Sequence, residues 1–298
     1  MYLLKEQFYH DPLVREFVHW LSDKTQNIEV KLKIKRSNYV RVEIAEKCHG
    51  LDEVLSHYCW KSSWLQPFLN QVEYSENWQQ TKNSLKNLSL LLKKVVEEEN
   101  ENDILLVCKA ILKWGGDRNS KQGATPQLAK LYSTESLGQY LRNVRTQIDA
   151  NFFDTKNIQS SVIYSGSMWT KIYALFSNTG VPIYDTRVSA AIAGLVSIFL
   201  KEKNLARQKV HLLDFSVPHR QERRSHIIFP NLEKTKFSGL SNNSSRWTED
   251  TMKLSWLMDA VLAVNGSLFP KEVGIIAKKH AFEASLFMIG YDIRRVIT

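Results

Sequence analysis

Two apolar runs, Trp169–Phe176 and Val188–Leu200, flank the break Gly180-Val-Pro-Ile-Tyr-Asp185-Thr-Arg187, and that break constrains the fold more than any other stretch. A tight polar turn, Ser165-Gly-Ser167, precedes the first run. The pattern predicts a short apolar helix, a stop at Gly-Val-Pro, and a longer helix opened by Asp185. An Asp at that position is an N-cap, because its side-chain oxygen accepts an orphan N–H of the first turn. The same geometry also fixes a carboxylate on a rigid element, at the mouth of any cleft beside it.

The rest of the chain supports a mainly α reading. Asp11-Pro12 followed by Leu13, Val14, Phe17, Val18, Trp20 and Leu21 predicts an amphipathic N-terminal helix with a proline in its first turn. Ile28–Lys35 alternates strictly and Val40–Ile44 resumes the alternation, which predicts a small β-hairpin turning at Arg36–Tyr39. Its lysine face is either a solvated surface or one that tracks phosphates.

From Leu51 almost to the end the spacing is helical: Leu51–Trp60, then Asn77–Glu99, Ile104–Trp114 closed by Gly115-Gly116, and Leu128–Ile148. After the helix opened by Asp185, two more follow, Thr248–Val264 and Lys271–Ile289. The acidic run Glu97–Asp103 reads as a solvated connection. With no internal repeat and no low-complexity linker, the expectation is one unit over residues 1–298. Its subregions are 1–50, 51–150 and 151–298.

Charge and cysteine usage narrow the function. A net charge of +9 and a pI of about 9.3 attract polyanions, nucleic acid foremost. Cys48, Cys59 and Cys108 form no C-x-x-C pair, and three thiols exclude a four-cysteine iron–sulfur cluster; they fit a reduced cytoplasmic protein. No apolar run reaches the ~20 residues that span a bilayer. The expected partner is duplex DNA, with no membrane, no metal and no cofactor, and the chain is expected to be a monomer.

Arg and Lys cluster between Arg207 and Lys236, where Arg220, Arg223 and Arg224 suit a phosphate grip. The polar loop Asp117–Pro126 either is plain surface or presents Asn119 or Gln122 to a duplex as a wedge.

The run Ser167-Met-Trp-Thr-Lys-Ile-Tyr-Ala-Leu-Phe-Ser-Asn-Thr-Gly-Val-Pro-Ile-Tyr-Asp185 resembles the core of the helix-hairpin-helix DNA glycosylases, over about 25 residues. That resemblance implies a hairpin, an apolar helix, a Pro-x-x-Asp break and a further helix. It is specific at the break. It implies a catalytic carboxylate at Asp185, and a serine at position 167 matches the adenine-glycosylase branch; bifunctional members of the family carry a Schiff-base lysine there instead. The two hairpin glycines of the family fall here on Ile163 and Ser165, and only Gly166 is present.

Under this resemblance Ser165, Gly166, Ser167 and Arg187 contact DNA, and Trp169, Tyr173 and Tyr184 wall a pocket for an extruded base, each having core packing as its alternative. Lys171 is a Schiff-base nucleophile, a phosphate contact or a solvated lysine. Some similar bacterial proteins are tied to phage defence, which implies a modified phage base as substrate. The competing readings are a non-catalytic helical DNA-binding protein, in which Asp185 only caps its helix, and a base-modifying transferase on the same scaffold.

Overall fold

The computed structural model describes residues 1–117, 121, 123–205, 211–216 and 244–297. Asn119, Gln122, Arg220, Arg223 and Arg224 lie outside the described residues.

A short strand β1 (Tyr2–Leu4) leads into α1 (Lys5–His10) and α2 (Pro12–Asn27). Asp11 caps α2 by accepting from the Val14 N–H at 2.9 Å, with Pro12 in the first turn as the sequence predicts. The strand β2 (Glu29–Ile34) pairs antiparallel with β3 (Ile44–His49), Ile34 facing Ile44.

The hairpin therefore exists, but its second strand begins where the expected one ended. The reason lies in residues 35–43, which fold into a loop of their own: Val40 is buried and exchanges backbone hydrogen bonds with Ser37. Alternation around a buried loop valine mimics a strand.

After α3 (Gly50–Ser56) comes a second hairpin, β4 (Cys59–Gln66) with β5 (Gln71–Asn77). This corrects the helix expected to reach Trp60. Alternate residues Ser62 and Trp64 turn inward, and the Ser62 and Ser75 hydroxyls meet across the strands at 2.6 Å, a buried cross-strand pair.

The helix α4 (Trp78–Glu97), capped by Asn77, packs against α5 (Glu101–Trp114). The acidic run is not all solvent-facing connection. Glu101 reaches the next pair of helices, α6 (Ala124–Thr134) and α7 (Leu137–Ile148), and accepts from Ser136 Oγ and from the Leu137 and Gly138 N–H groups. That carboxylate, with Ser136 as N-cap, breaks what the periodicity reads as one helix.

The strand β6 (Phe152–Asp154) pairs with β1 and opens α8 (Thr155–Ser161). Then α9 (Trp169–Phe176) and α10 (Thr186–Glu202) appear as expected, every residue of α9 being buried. The long α11 (Ser244–Val264) begins ahead of its expected start. Helix α12 begins at Ile275, after Gly274, and runs to Ile289; a 3-10 turn (Ile293–Arg295) and β7 (Val296–Ile297) bring the chain back onto β2.

Thus α12 packs on α3, α10 and α11 at the centre of the molecule, and twelve α-helices dominate the described residues. No helix among the described residues is long and apolar enough to cross a membrane.

Candidate active site

The break before α10 is fastened at three points. Asp149 accepts from Ser177 Oγ (2.6 Å), the Asn178 N–H (2.9 Å) and Thr179 Oγ1 (2.9 Å), holding its start. Helix α12 holds its middle: buried Lys279 donates to the Thr179 carbonyl at 2.9 Å, and the Ile183 N–H donates to Glu283 Oε2 at 3.2 Å. Beyond the break, Gly290 lies so close to the Arg187 backbone that any Cβ would collide with the Arg187 carbonyl. The segment Thr179–Arg187 is thus laid along α12 from Lys279 to Gly290.

This seating delivers Asp185 to the start of α10, where Oδ1 accepts from the Arg187 N–H (2.8 Å) and the Val188 N–H (3.0 Å). Oδ2 makes no hydrogen bond to the described residues. The carboxylate is half-buried and lines a cleft of about 950 Å³. A cleft of that size lies within the range of ligand sites.

Three other nominated residues line it too: Ser167, Lys171 and Arg187. Lys171 is buried and its Nζ donates to the Ser167 carbonyl at 2.9 Å, tying α9 to the turn that precedes it. Its aliphatic chain crosses Gly115, where a Cβ would strike Cδ. Ser165 and Gly166 sit half-buried in the connection between α8 and α9, away from the cleft lining.

Arg187 does not present a free guanidinium to a phosphate. It is buried among three rings, its Cζ lying 4.7 Å from the centre of Trp60, 4.6 Å from Phe287 and 4.1 Å from Tyr291. Such cation–π contacts strengthen when the cation is desolvated.

The three nominated aromatics belong to the core and line no part of the cleft. Trp169 is buried, donates to Gln127 Oε1 at 2.6 Å and stacks on Tyr164. Tyr173 pairs with Tyr140 through their hydroxyls at 2.8 Å and donates to the Tyr164 carbonyl. Tyr184 is fully buried and donates to the Ser216 carbonyl. Every residue of α9 is buried, so Trp169 and Tyr173 go into packing and only Lys171 of that helix reaches the cleft lining.

The walls come from elsewhere: Tyr39 and Trp60, stacked at 4.0 Å with planes 5° apart, and Tyr58, Trp114, Phe287 and Tyr291. Burial pushes the Tyr58 and Tyr291 hydroxyls above their ordinary range, so both stay neutral.

Glu283 is the site's unanticipated member. It lines the same cleft from α12, is buried, and has a carboxyl pushed above the usual carboxylate range chiefly by burial, against the smaller pull of His280, whose Nδ1 lies 3.6 Å from Oε2. One signal in the sequence marks it: a lone carboxylate within Ala281–Ile289, otherwise almost wholly apolar. A buried acid is costly unless it is paired or kept protonated. Two carboxyl groups therefore meet in one cleft in different settings, one in a backbone N–H cap and half in solvent, the other in an apolar wall.

Across the lining, seven cationic side chains (Lys33, Lys35, Arg36, Lys171, Arg187, Arg294 and Arg295) face three carboxyl groups, Asp185, Glu283 and Asp292. Among the described residues no group of three or more His, Cys, Asp or Glu side chains is placed to hold a metal. Comparison with family models, with curated proteins and with solved structures finds no match.

Proposed function

We propose that this protein is a DNA N-glycosylase that releases a modified or damaged base by hydrolysis. The observation that carries the reading is the pair of unlike carboxyl groups, Asp185 and Glu283, in one aromatic-walled cleft with an excess of positive charge. Groups whose surroundings separate their protonation states suit the two roles that such a cleavage needs.

As the C1′–N bond breaks, its electron pair goes to the base, and the Glu283 carboxyl gives its proton to a nitrogen of that base. Positive charge develops on the sugar, where the Asp185 carboxylate stabilises it and orients the attacking water. The water oxygen bonds C1′ and its proton passes to Asp185; transfer through solvent restores both groups. Flipping is required because the target bond is inaccessible inside a duplex, and the Tyr39–Trp60 stack is the wall on which the extruded base lies.

The Lys171 Nζ bonded to the Ser167 carbonyl supports hydrolysis over a lyase route. A base-releasing enzyme of this kind would suit defence against phage carrying modified DNA.

The test is a panel of duplexes with modified or damaged bases, scored for abasic sites. Wild type should form them on at least one substrate and Asp185→Asn on none, while both bind DNA equally. Absence of abasic sites from every duplex with wild type would leave the second reading, a DNA-binding protein in which Asp185 is an N-cap, the role its Oδ1 already fills. Borohydride trapping that survived in wild type and vanished in Lys171→Ala would establish a lyase instead.

A further inference from the structure

The alternation in β2 turns Val30, Leu32 and Ile34 into the core and Lys31 and Lys33 out to solvent; Lys35 and Arg36 extend the exposed series beyond the strand. A strand sets alternate side chains about 6.7 Å apart, so Lys31 to Lys35 covers about 13 Å, the axial rise of about four phosphates on one DNA strand.

Lys33, Lys35 and Arg36 form no ion pair with the described residues. Lys31 stands opposite Lys47, whose ammonium is taken by Glu29 at 2.6 Å. Like charges facing each other across a ladder cost stability. On the turn that leads into the neighbouring strand β7, Asp292 is shared between Arg294 (3.1 Å) and Arg295 (3.2 Å).

The row also has a direction. Lys33, Lys35 and Arg36 line the cleft that holds Asp185, and the loop they begin carries Tyr39, stacked on Trp60 and tied down by the Lys61 N–H at 2.7 Å. The cations therefore run along the sheet and end beside the aromatic wall. By contrast, the turn Ser165–Gly166 offers no cation and only Ser167 touches the cleft.

We infer that the exposed face of β2, continued by Lys35 and Arg36, is the surface that carries the DNA backbone into the cleft, gripping the phosphates beside the extruded nucleotide. The inference rests on the glycosylase reading for the identity of its polyanion. It replaces a hairpin grip with a sheet-borne one.

Because phosphate contacts are independent of sequence, a short unmodified DNA duplex is a sufficient probe. Binding is measured by fluorescence anisotropy over a range of salt concentrations for wild type and for Lys33→Ala/Lys35→Ala/Arg36→Ala. A charge-matched control, Lys86→Ala/Lys109→Ala/Lys130→Ala, removes exposed lysines of α4, α5 and α6 that do not line the cleft. All three proteins are checked for the same melting temperature.

The expected result is a log–log salt slope shallower by about 0.9 for each lost contact, so by about 2 to 3 in the strand variant, with the control close to wild type. A strand variant with the wild-type slope, or a control that loses as much, overturns the inference and leaves the glycosylase reading standing. Wild type that does not bind the duplex overturns both, and tighter binding of an RNA duplex than of DNA does the same.

Discussion

Two buried charge systems meet on α12 and are built on opposite plans. At Lys279 the ammonium has three donors and three acceptors: the Thr179 carbonyl, Ser255 Oγ at 2.7 Å and Asp259 Oδ1 at 2.8 Å, while the other Asp259 oxygen takes Lys5 at 2.9 Å. One helical turn on, Glu283 gives one oxygen to the Ile183 N–H and faces a cleft rich in cations. The first system is closed, and its satisfaction serves the fold. The second is left open, and the charges it does not neutralise internally are those available to a ligand.

The sharpest way to break this comparison is Asp185→Asn. Amide for carboxylate keeps an oxygen for the two capping N–H groups, so stability should hold while base release falls by about 1000-fold, measured as abasic sites in a single turnover. A large loss of melting temperature would make the residue a member of the closed class.

Lys279→Ala is the converse. It leaves the Thr179 carbonyl and Ser255 Oγ without their buried donor, takes one of two lysines from Asp259 and opens a cavity, and should cost about 3 to 5 kcal/mol in urea unfolding, with the DNA salt slope unchanged. Between the two lies Gly290→Ala, whose new Cβ would press on the Arg187 carbonyl. Overpacking there should cost about 1 to 3 kcal/mol and slow base release as the seam between α10 and α12 opens.

The smallest effect is a pH difference. Burial raises the Glu283 pKa, so between the ordinary glutamate value of about 4.3 and its folded value the folded protein binds more protons than the unfolded chain. Its contribution to stability is present below that window and is lost as pH rises through the folded pKa. Glu283→Gln, still able to accept from the Ile183 N–H, escapes this loss. Its melting temperature relative to wild type should climb with pH, by about 2 °C or more once Glu283 ionises. Asp250, also raised by burial, is common to both proteins and drops out of the difference.

Local rules found what local forces decide. Asp11, Asn77 and Asp185 cap the helices that follow them because each needs only the next turn of backbone. The same reasoning missed β4 and β5, whose Ser62–Ser75 contact depends on a partner strand, and ran α6 and α7 together, because the Glu101 carboxylate that separates them is brought across from α5. Asp185, Ser167 and Lys171, which line the cleft, were named from one segment through its resemblance to the glycosylase core. Glu283, Tyr39 and Trp60 were not, because their neighbours on the cleft wall are set by packing rather than by sequence separation. The resemblance pointed to Trp169, Tyr173 and Tyr184, and the alternative of core packing is what the structure shows for all three.

The fastening of the Asp185 segment to α12 has a consequence for timing. Asp149, which fastens the start of the segment, precedes it by 30 positions at Thr179, but the α12 partners of Thr179 and Ile183 come 100 positions later in the chain. A nascent chain that has emerged as far as Asp185 carries the carboxylate without the element that holds it in register. Contacts this distant in sequence form late, after the entropy of closing a long loop has been met. On the glycosylase reading, base release should therefore wait until α12 has been made and has docked.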